Sequence, residues 1–217
     1  METKQAILSR KSTRHFTEQK IKQEDLIDIV KTAQQAPSWV NAQPEHVYIA
    51  TGQTLENIRQ KHQEALQANV SATSHLKTIP NSKWPELGQK NMNQWFEDIG
   101  QLVGDDWNDL FSFEQKELYN AQAIVYLTLP KNYSLWSLYD LGAFGEALMV
   151  TAQDKGIGSL PAYQFISYPD ILRQELAITE DNDIIMGIGL GYRDEKARIN
   201  NIRGRRMDTN KILTIKD

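Results

Sequence analysis

The segment 136–155 constrains the fold more than any other stretch of the chain. Leu138, Leu141, Gly142, Gly145, Leu148, Met149 and Ala152 recur at three- and four-residue spacing, which predicts a long helix with a wide core-facing stripe. Gly142, Ala143 and Gly145 weaken such a helix, by up to about 1 kcal/mol per glycine relative to alanine. That cost is tolerable where another backbone or a flat ring packs close. Gly156 supplies the C-terminal stop. A helix of this length with one broad apolar side needs a large partner surface, and two apolar runs offer it: the strand Ala123–Leu129, closed by Pro130, and the strand Asp183–Tyr192. Gly187, Gly189 and Gly191 in the second strand read as sites of close approach. They lack the strand–turn–helix order of a dinucleotide fingerprint.

Around this centre the reading is α+β. Residues 3–9 form a short helix. A second helix covers about 23–36, with Leu26, Ile27, Val30 and Ala33 as its buried stripe, and stops before Pro37. The loop Pro37–Pro44 leads into the strand His46–Ala50, and a polar helix runs through roughly 54–68. A further short helix begins near Ser167-Tyr168-Pro169-Asp170, with Ser167 as cap and Pro169 in its first turn. Residues 70–120 are polar yet carry Trp84, Trp95, Phe96, Trp107, Phe111 and Phe113. They read either as an excursion of short helices covering a cleft or as a satellite hydrophobic cluster. From Arg193 onward the chain turns polar and loses periodicity, so it reads as an arm that gains order by lying on something else, such as a second subunit. At 217 residues one large domain fits better than two small ones.

Several chemistries are excluded or disfavoured. The chain has no cysteine, so thiolate catalysis, disulfides and cysteine-ligated metal are ruled out. His15, His46, His62 and His75 show no metal-ligand spacing, so no metal site is expected. There is no serine-hydrolase elbow and no Walker loop. A net charge of −4 argues against nucleic-acid or anionic-membrane partners, and no apolar run reaches the roughly 20 residues a span requires. The polar start carries no secretory signal, and a cytoplasmic location is the expectation.

Two basic clusters stand at opposite ends: Arg10, Lys11 and Arg14, and Arg203, Arg205 and Arg206. They are either solvated surface or convergent phosphate ligands, for which the arginine fork is suited. The loop Pro37–Pro44 adds Ser38, Asn41 and Gln43 in a proline-framed setting fit to read the polar edge of a heterocycle.

In this order the motifs resemble the FMN-dependent nitroreductase family. Arg10-Lys11-Ser12-Thr13-Arg14-His15-Phe16 is similar to its opening motif, and Ala36–Pro44 to its proline-framed loop. Asp140-Leu141-Gly142 with Ala152–Gly158 resembles its central helix and exit. Tyr168-Pro169-Asp170, Gly187–Tyr192 and Arg203–Arg206 resemble its later segments. The resemblance implies a nitroreductase-like fold: a central mixed or antiparallel sheet flanked by helices, in an intertwined homodimer that exchanges C-terminal arms (193–217). It implies FMN as cofactor and NADH or NADPH as electron donor. The activity implied is ping-pong reduction of nitroaromatics, quinones or related acceptors, with no catalytic side chain beyond the flavin. Same-fold alternatives are activated-alkene reduction and reductive dehalogenation; a non-catalytic flavin-binding or anion-binding protein is the alternative of another class.

The resemblance also implies roles for individual residues. Arg10, Ser12, Arg203 and Arg205 would hold the phosphate and ribityl chain, with Lys11 assisting and Arg206 as the alternative to Arg205. Arg14 would lie near the pyrimidine edge. Pro37, Ser38 and Asn41 would reach in from the partner subunit. Leu160, Pro161 and Ala162 would form a turn packed on one flavin face, with a backbone N–H directed at N5. Asn69 would meet the ring edge. The resemblance does not extend over roughly 70–120, and the aromatic excursion there is where substrate contacts are expected, with Trp95 and Trp107 as the candidates. Glu45 and Tyr163 depart from residues common in the family at those points.

Overall fold

A computed structural model describes residues 2–217. Four antiparallel strands form one sheet in the order β1 (His46–Thr51), β2 (Ala123–Pro130), β4 (Asn182–Gly191), β3 (Gly158–Pro161). The sheet is therefore antiparallel throughout rather than mixed. Alternate side chains of β2 point to opposite faces, as pleating demands. Val125, Leu127 and Leu129 meet α2 (Gln23–Ala33) and α6 (Leu135–Asp154), while Ile124 and Tyr126 meet α3 (Gly52–Gln67) and α7 (Pro169–Leu176). Both faces are thus covered, and β2 is buried along almost its whole length.

The long helix behaves largely as its spacing predicts. Ser134 caps it by accepting from Ser137 N–H at 3.2 Å. Gly156 sits at φ +72° just beyond its end, the left-handed position that stops a helix. Leu141, Gly145, Leu148, Met149 and Ala152 are buried, joined by Phe144. Gly145 faces the sheet, where an added Cβ would make only ordinary contact, 3.6 Å from Leu127 and 3.7 Å from Ile188. Gly142 instead faces outward with nothing within 4 Å.

The glycines of β4 do admit close neighbours. A Cβ at Gly187 would fall 2.4 Å from Phe165 Cβ, one at Gly189 2.6 Å from Phe165 Cζ, and one at Gly191 2.7 Å from the Phe16 ring. Phe165 therefore lies flat across two glycines and Phe16 across a third.

Four details differ from the sequence expectations. Helix α2 ends at Ala33, in turns before Pro37, and its buried residues are Leu26, Ile29 and Ala33; Ile27 is exposed. The two positions are both compatible with the local spacing, and the sheet decides which side is covered. Ser167 does not cap α7. Its hydroxyl donates back to Tyr163 O and Gln164 Oε1, and Tyr168 is the first flanking residue, with Pro169 in the first turn as expected. Leu160 and Pro161 lie in an edge strand, not a turn, and pair with Gly189 and Ile188. Pro161, which lacks an N–H, is tolerated at the end of that edge.

The excursion is the fourth. It is built chiefly of α4 (Glu86–Val103) and α5 (Trp107–Lys116), the former eighteen residues long. Ile99 and Val103 of α4 pack on Ile199 and Ile202, so the first ten residues after Tyr192 are anchored on their own chain. Only the stretch from 203 onward is exposed throughout. The remaining helix, α1 (Thr3–Ser9), packs on α6. Among the described residues, no helix is long and apolar enough to cross a membrane.

Candidate functional site

The two basic ends converge. Residues 12–16 run along the sheet edge: Ser12 bridges Ser159, Thr13 N–H donates to Ser159 O at 2.9 Å, and Phe16 bridges Arg193. Gly158 makes room for this, since a Cβ there would lie 2.6 Å from Thr13 Oγ1. The chain after β4 then folds back across the same segment. Asn200, fully buried, joins the two. Its Oδ1 accepts from Arg14 N–H (2.6 Å) and His15 N–H (3.1 Å), and its Nδ2 donates to His15 O (2.7 Å) and Asp194 O (2.9 Å). On the outer side His15 Nδ1 lies 2.9 Å from Glu114 of α5. Three distant stretches of sequence therefore meet at residues 14–15.

Between them opens a cleft of about 880 Å³. Six of its lining side chains are basic (Arg10, Lys11, Arg14, Arg193, Arg203, Arg206) and two acidic (Glu146, Glu195). A chain of net charge −4 thus gathers an excess of four positive charges in one concavity. Such focusing raises local anion concentration. Burial and the neighbouring cations Arg193 and Arg203 lower the Lys11 pKa below its usual value. Glu195 bonds Arg193 Nε at 2.8 Å, which holds its own pKa low. Arg193 Nη1 and Arg10 Nε are buried without a hydrogen bond, although Arg10 Nε lies 3.5 Å from Glu146.

Arg14 is the unusual group. Its guanidinium is largely buried, which lowers its pKa. Among the described residues no carboxylate pairs with it; its Nη1 makes a long bond to Ser12 O (3.4 Å). The rings of Trp95 and Phe111 each lie 5.9 Å from the guanidinium carbon. A desolvated cation without a counter-ion is costly unless something electron-rich completes its environment.

The structure brings Arg10, Lys11, Ser12, Arg14 and Arg203 to this cleft, with Thr13 and Trp95. It does not bring Arg205 there. Arg205 Nε lies 2.7 Å from the buried Asp98 of α4, and Arg206 lines the cleft instead. Leu160, Pro161 and Ala162 lie on β3 and just past it, outside the cleft lining, and Ala162 N–H already donates to Gly187 O at 3.3 Å. Asn69, at φ 52° and exposed beyond α3, is also outside it. Trp107 packs into the satellite cluster with Phe111, Ile99 and Ile202; of the excursion's aromatic residues, only Trp95 lines the cleft. Arg193, Glu146 and Glu195 were not anticipated. An arginine two residues past a glycine-rich strand is the signal that could have found Arg193.

Pro37, Ser38 and Asn41 lie apart from this cleft, on an exposed loop. Val40 (φ 44°), Asn41 (φ 61°) and Gln43 (φ 44°) are all left-handed, costing on the order of 1–2 kcal/mol per non-glycine residue. Braces hold the loop: Trp39 N–H donates to buried Asp140 at 2.9 Å, and Gln43 N–H to Ser38 Oγ at 3.0 Å. Strain maintained at an exposed β-branched residue points to a surface shaped for contact. Among the described residues, no group of three or more His, Asp or Glu could hold a metal ion.

A family model described as the nitroreductase family matches residues 7–192. The chain belongs to the nitroreductase family. Its relatives include a 4-nitrobenzoate reductase of Pseudomonas putida, 25% identical over 202 residues, covering 91% of this chain and 88% of the relative. Nitroreductase NfnB of Mycolicibacterium smegmatis is 28% identical over 207 residues, covering 91% and 85%. The crystal structure of the FMN-dependent nitroreductase NfnB from Mycobacterium smegmatis in complex with NADPH superposes with a TM-score of 0.90, covering 99% of this chain and 97% of that chain at 23% identity. The nitroreductase fold read from the motifs is therefore the fold observed.

The residues present also fit an FMN. A phosphate needs convergent donors, and the cleft offers six cations against two acids. Two buried guanidinium nitrogens there have hydrogen-bonding capacity to spare.

Proposed function

We propose that this nitroreductase-family chain is an FMN-dependent oxidoreductase that takes electrons from NADH or NADPH and passes them to nitroaromatics, quinones or related acceptors. The observation that carries this reading is the largely buried, carboxylate-free Arg14 at the wall of a cleft with excess positive charge. Bound FMN supplies hydride and electron transfer; the protein's residues bind it, orient it and shape access. Arg10, Lys11, Ser12, Arg203 and Arg206 hold the phosphate and ribityl chain through charge-assisted bonds. Arg14 places a fixed positive charge against the edge of the ring system where negative charge collects on reduction. The names of the relatives, a 4-nitrobenzoate reductase among them, support the nitroaromatic class. Supply of a reduced nicotinamide fits a cytoplasmic setting.

The working unit in this reading is a homodimer. Trp39, Val40, Leu135, Trp136 and Tyr139 are all exposed, and Trp39 and Trp136 meet edge to face at 4.7 Å, so loop and helix present one apolar surface. An exposed patch of this kind marks a contact site. A second copy seated there brings the partner's loop 37–44 toward the flavin. Strand β1 pairs on one side only, and the tail presents Ile212, Leu213 and Ile215. Exchange of residues 203–217 between subunits covers both apolar tail and open edge.

Absorbance of the purified protein near the flavin bands, FMN titration, and NAD(P)H oxidation with 4-nitrobenzoate as acceptor test the proposal. Yellow protein with acceptor-dependent turnover is expected. A colourless preparation that takes up no added FMN would refute it.

A further inference from the structure

We infer that Trp95 and Phe111 are positioning residues for Arg14, so that the α4–α5 excursion sets how strongly the bound flavin favours its reduced form. The inference rests on the placement of Arg14 beside the flavin proposed above. Asn200 fixes the Arg14 backbone but does not direct its long side chain, and the Ser12 contact at 3.4 Å is too long to hold it. What defines its direction is the pair of rings. Trp95 and Phe111 meet edge to face, centroids 6.3 Å apart and planes at 78°, and the guanidinium carbon sits 5.9 Å from both. The cation therefore occupies the corner between two nearly perpendicular aromatic faces, each attracting it through its quadrupole.

The rings are themselves fixed from behind. Trp107 packs edge-on against Phe111, at 6.0 Å and 89°. Ile99, Val103, Ile199 and Ile202 close the cluster. Without the rings Arg14 has no carboxylate to hold it at the cleft wall, and hydration would draw it outward. A positive charge withdrawn from the flavin site favours the reduced, more negative form less. Trp95 also lines the cleft, so the competing role is plain acceptor contact, which would alter KM and leave the redox balance untouched.

The test is the ratio of reduced to oxidised bound flavin in the FMN-loaded protein, read against a reference dye at fixed ambient potential. Arg14→Gln should lower that ratio about tenfold or more, and Trp95→Leu and Phe111→Leu each about fivefold, the scale of one partly exposed cation–π contact. Trp95→Leu made in the Arg14→Gln background should add nothing, and Trp95→Phe, which keeps a ring face, should restore the ratio. If Trp95→Leu fails to fold by circular dichroism, Trp95→Met and Phe111→Leu make the same comparison. Ring variants at the wild-type ratio, or an undiminished Trp95→Leu effect without Arg14, overturn the inference alone. A wild-type ratio in Arg14→Gln, or wild-type protein that binds no flavin, overturns the site assignment and this inference with it.

Discussion

Replacing Asn200 with alanine removes a side chain that ties residues 14–15 to the segment following β4. The magnitude follows from its four hydrogen bonds. His15 O and Asp194 O keep other donors, Asp194 N–H at 3.3 Å and Ala197 N–H at 3.4 Å. Arg14 N–H and His15 N–H have Asn200 Oδ1 as their acceptor. Two partly buried donors are left unpaired at about 1–3 kcal/mol each, so Asn200→Ala should destabilise the fold by about 2–6 kcal/mol, the lower figure applying if a water enters the space. That is a large share of the roughly 5–15 kcal/mol typical of a folded domain. Because the lost contact also sets the spacing of the cleft walls, FMN affinity should fall more than tenfold. Urea unfolding of the flavin-free protein at fixed protein concentration gives the first number, and flavin-fluorescence titration the second. Stability within 0.5 kcal/mol of wild type, or unchanged FMN affinity, would refute the reasoning.

Arg206→Ala should weaken FMN binding about tenfold, as loss of one charge-assisted phosphate contact does. Arg205→Ala should spare it and instead destabilise the excursion by about 1–2 kcal/mol through buried Asp98; the reverse pattern in titration and unfolding would count against the assignment. Gly187→Ala should cost about 2–3 kcal/mol because its Cβ would meet the Phe165 Cβ, which cannot swing away. Gly142→Ala, with open space around it, should be neutral or stabilise isolated protomers by up to about 1 kcal/mol. Equal effects in thermal unfolding would show that close approach is not what selects these glycines. Burial lowers His62 to about 4 from 6.5. The unfolded chain therefore binds its proton first, and the His62 contribution is complete above pH 6.5 and lost as pH falls toward 4, about 3 kcal/mol in all. The stability difference between wild type and His62→Gln should vary across that window; a flat difference would sink the prediction.

Much of the fold was legible because it is written locally. Period-3.6 spacing marked α6, continuous apolar runs marked β2 and β4, and backbone geometry alone placed the stop at Gly156 and the start at Pro169. The β4 glycines announced a close neighbour without saying which; Phe165 and Phe16 come from elsewhere in the chain. The gathering of both basic ends was an expectation drawn from motif order, and residue spacing by itself left it open.

What tertiary structure alone decided is wherever two local solutions were equally good. Ile27 and Ile29 both suit an apolar stripe, and the angle at which α2 meets the sheet buries the second. Arg205 and Arg206 are adjacent and chemically identical, so only the path of the chain across α4 sends one to Asp98 and the other to the cleft. The four-residue strand β3 carries too few residues for a period and exists because β4 offers it an edge. Asn200 and the Trp95–Phe111 corner act on Arg14 across 186 and 81–97 residues of chain. A sequence specifies local geometry residue by residue, but a contact at that separation comes into being only when the intervening core has folded and brought the partners within reach.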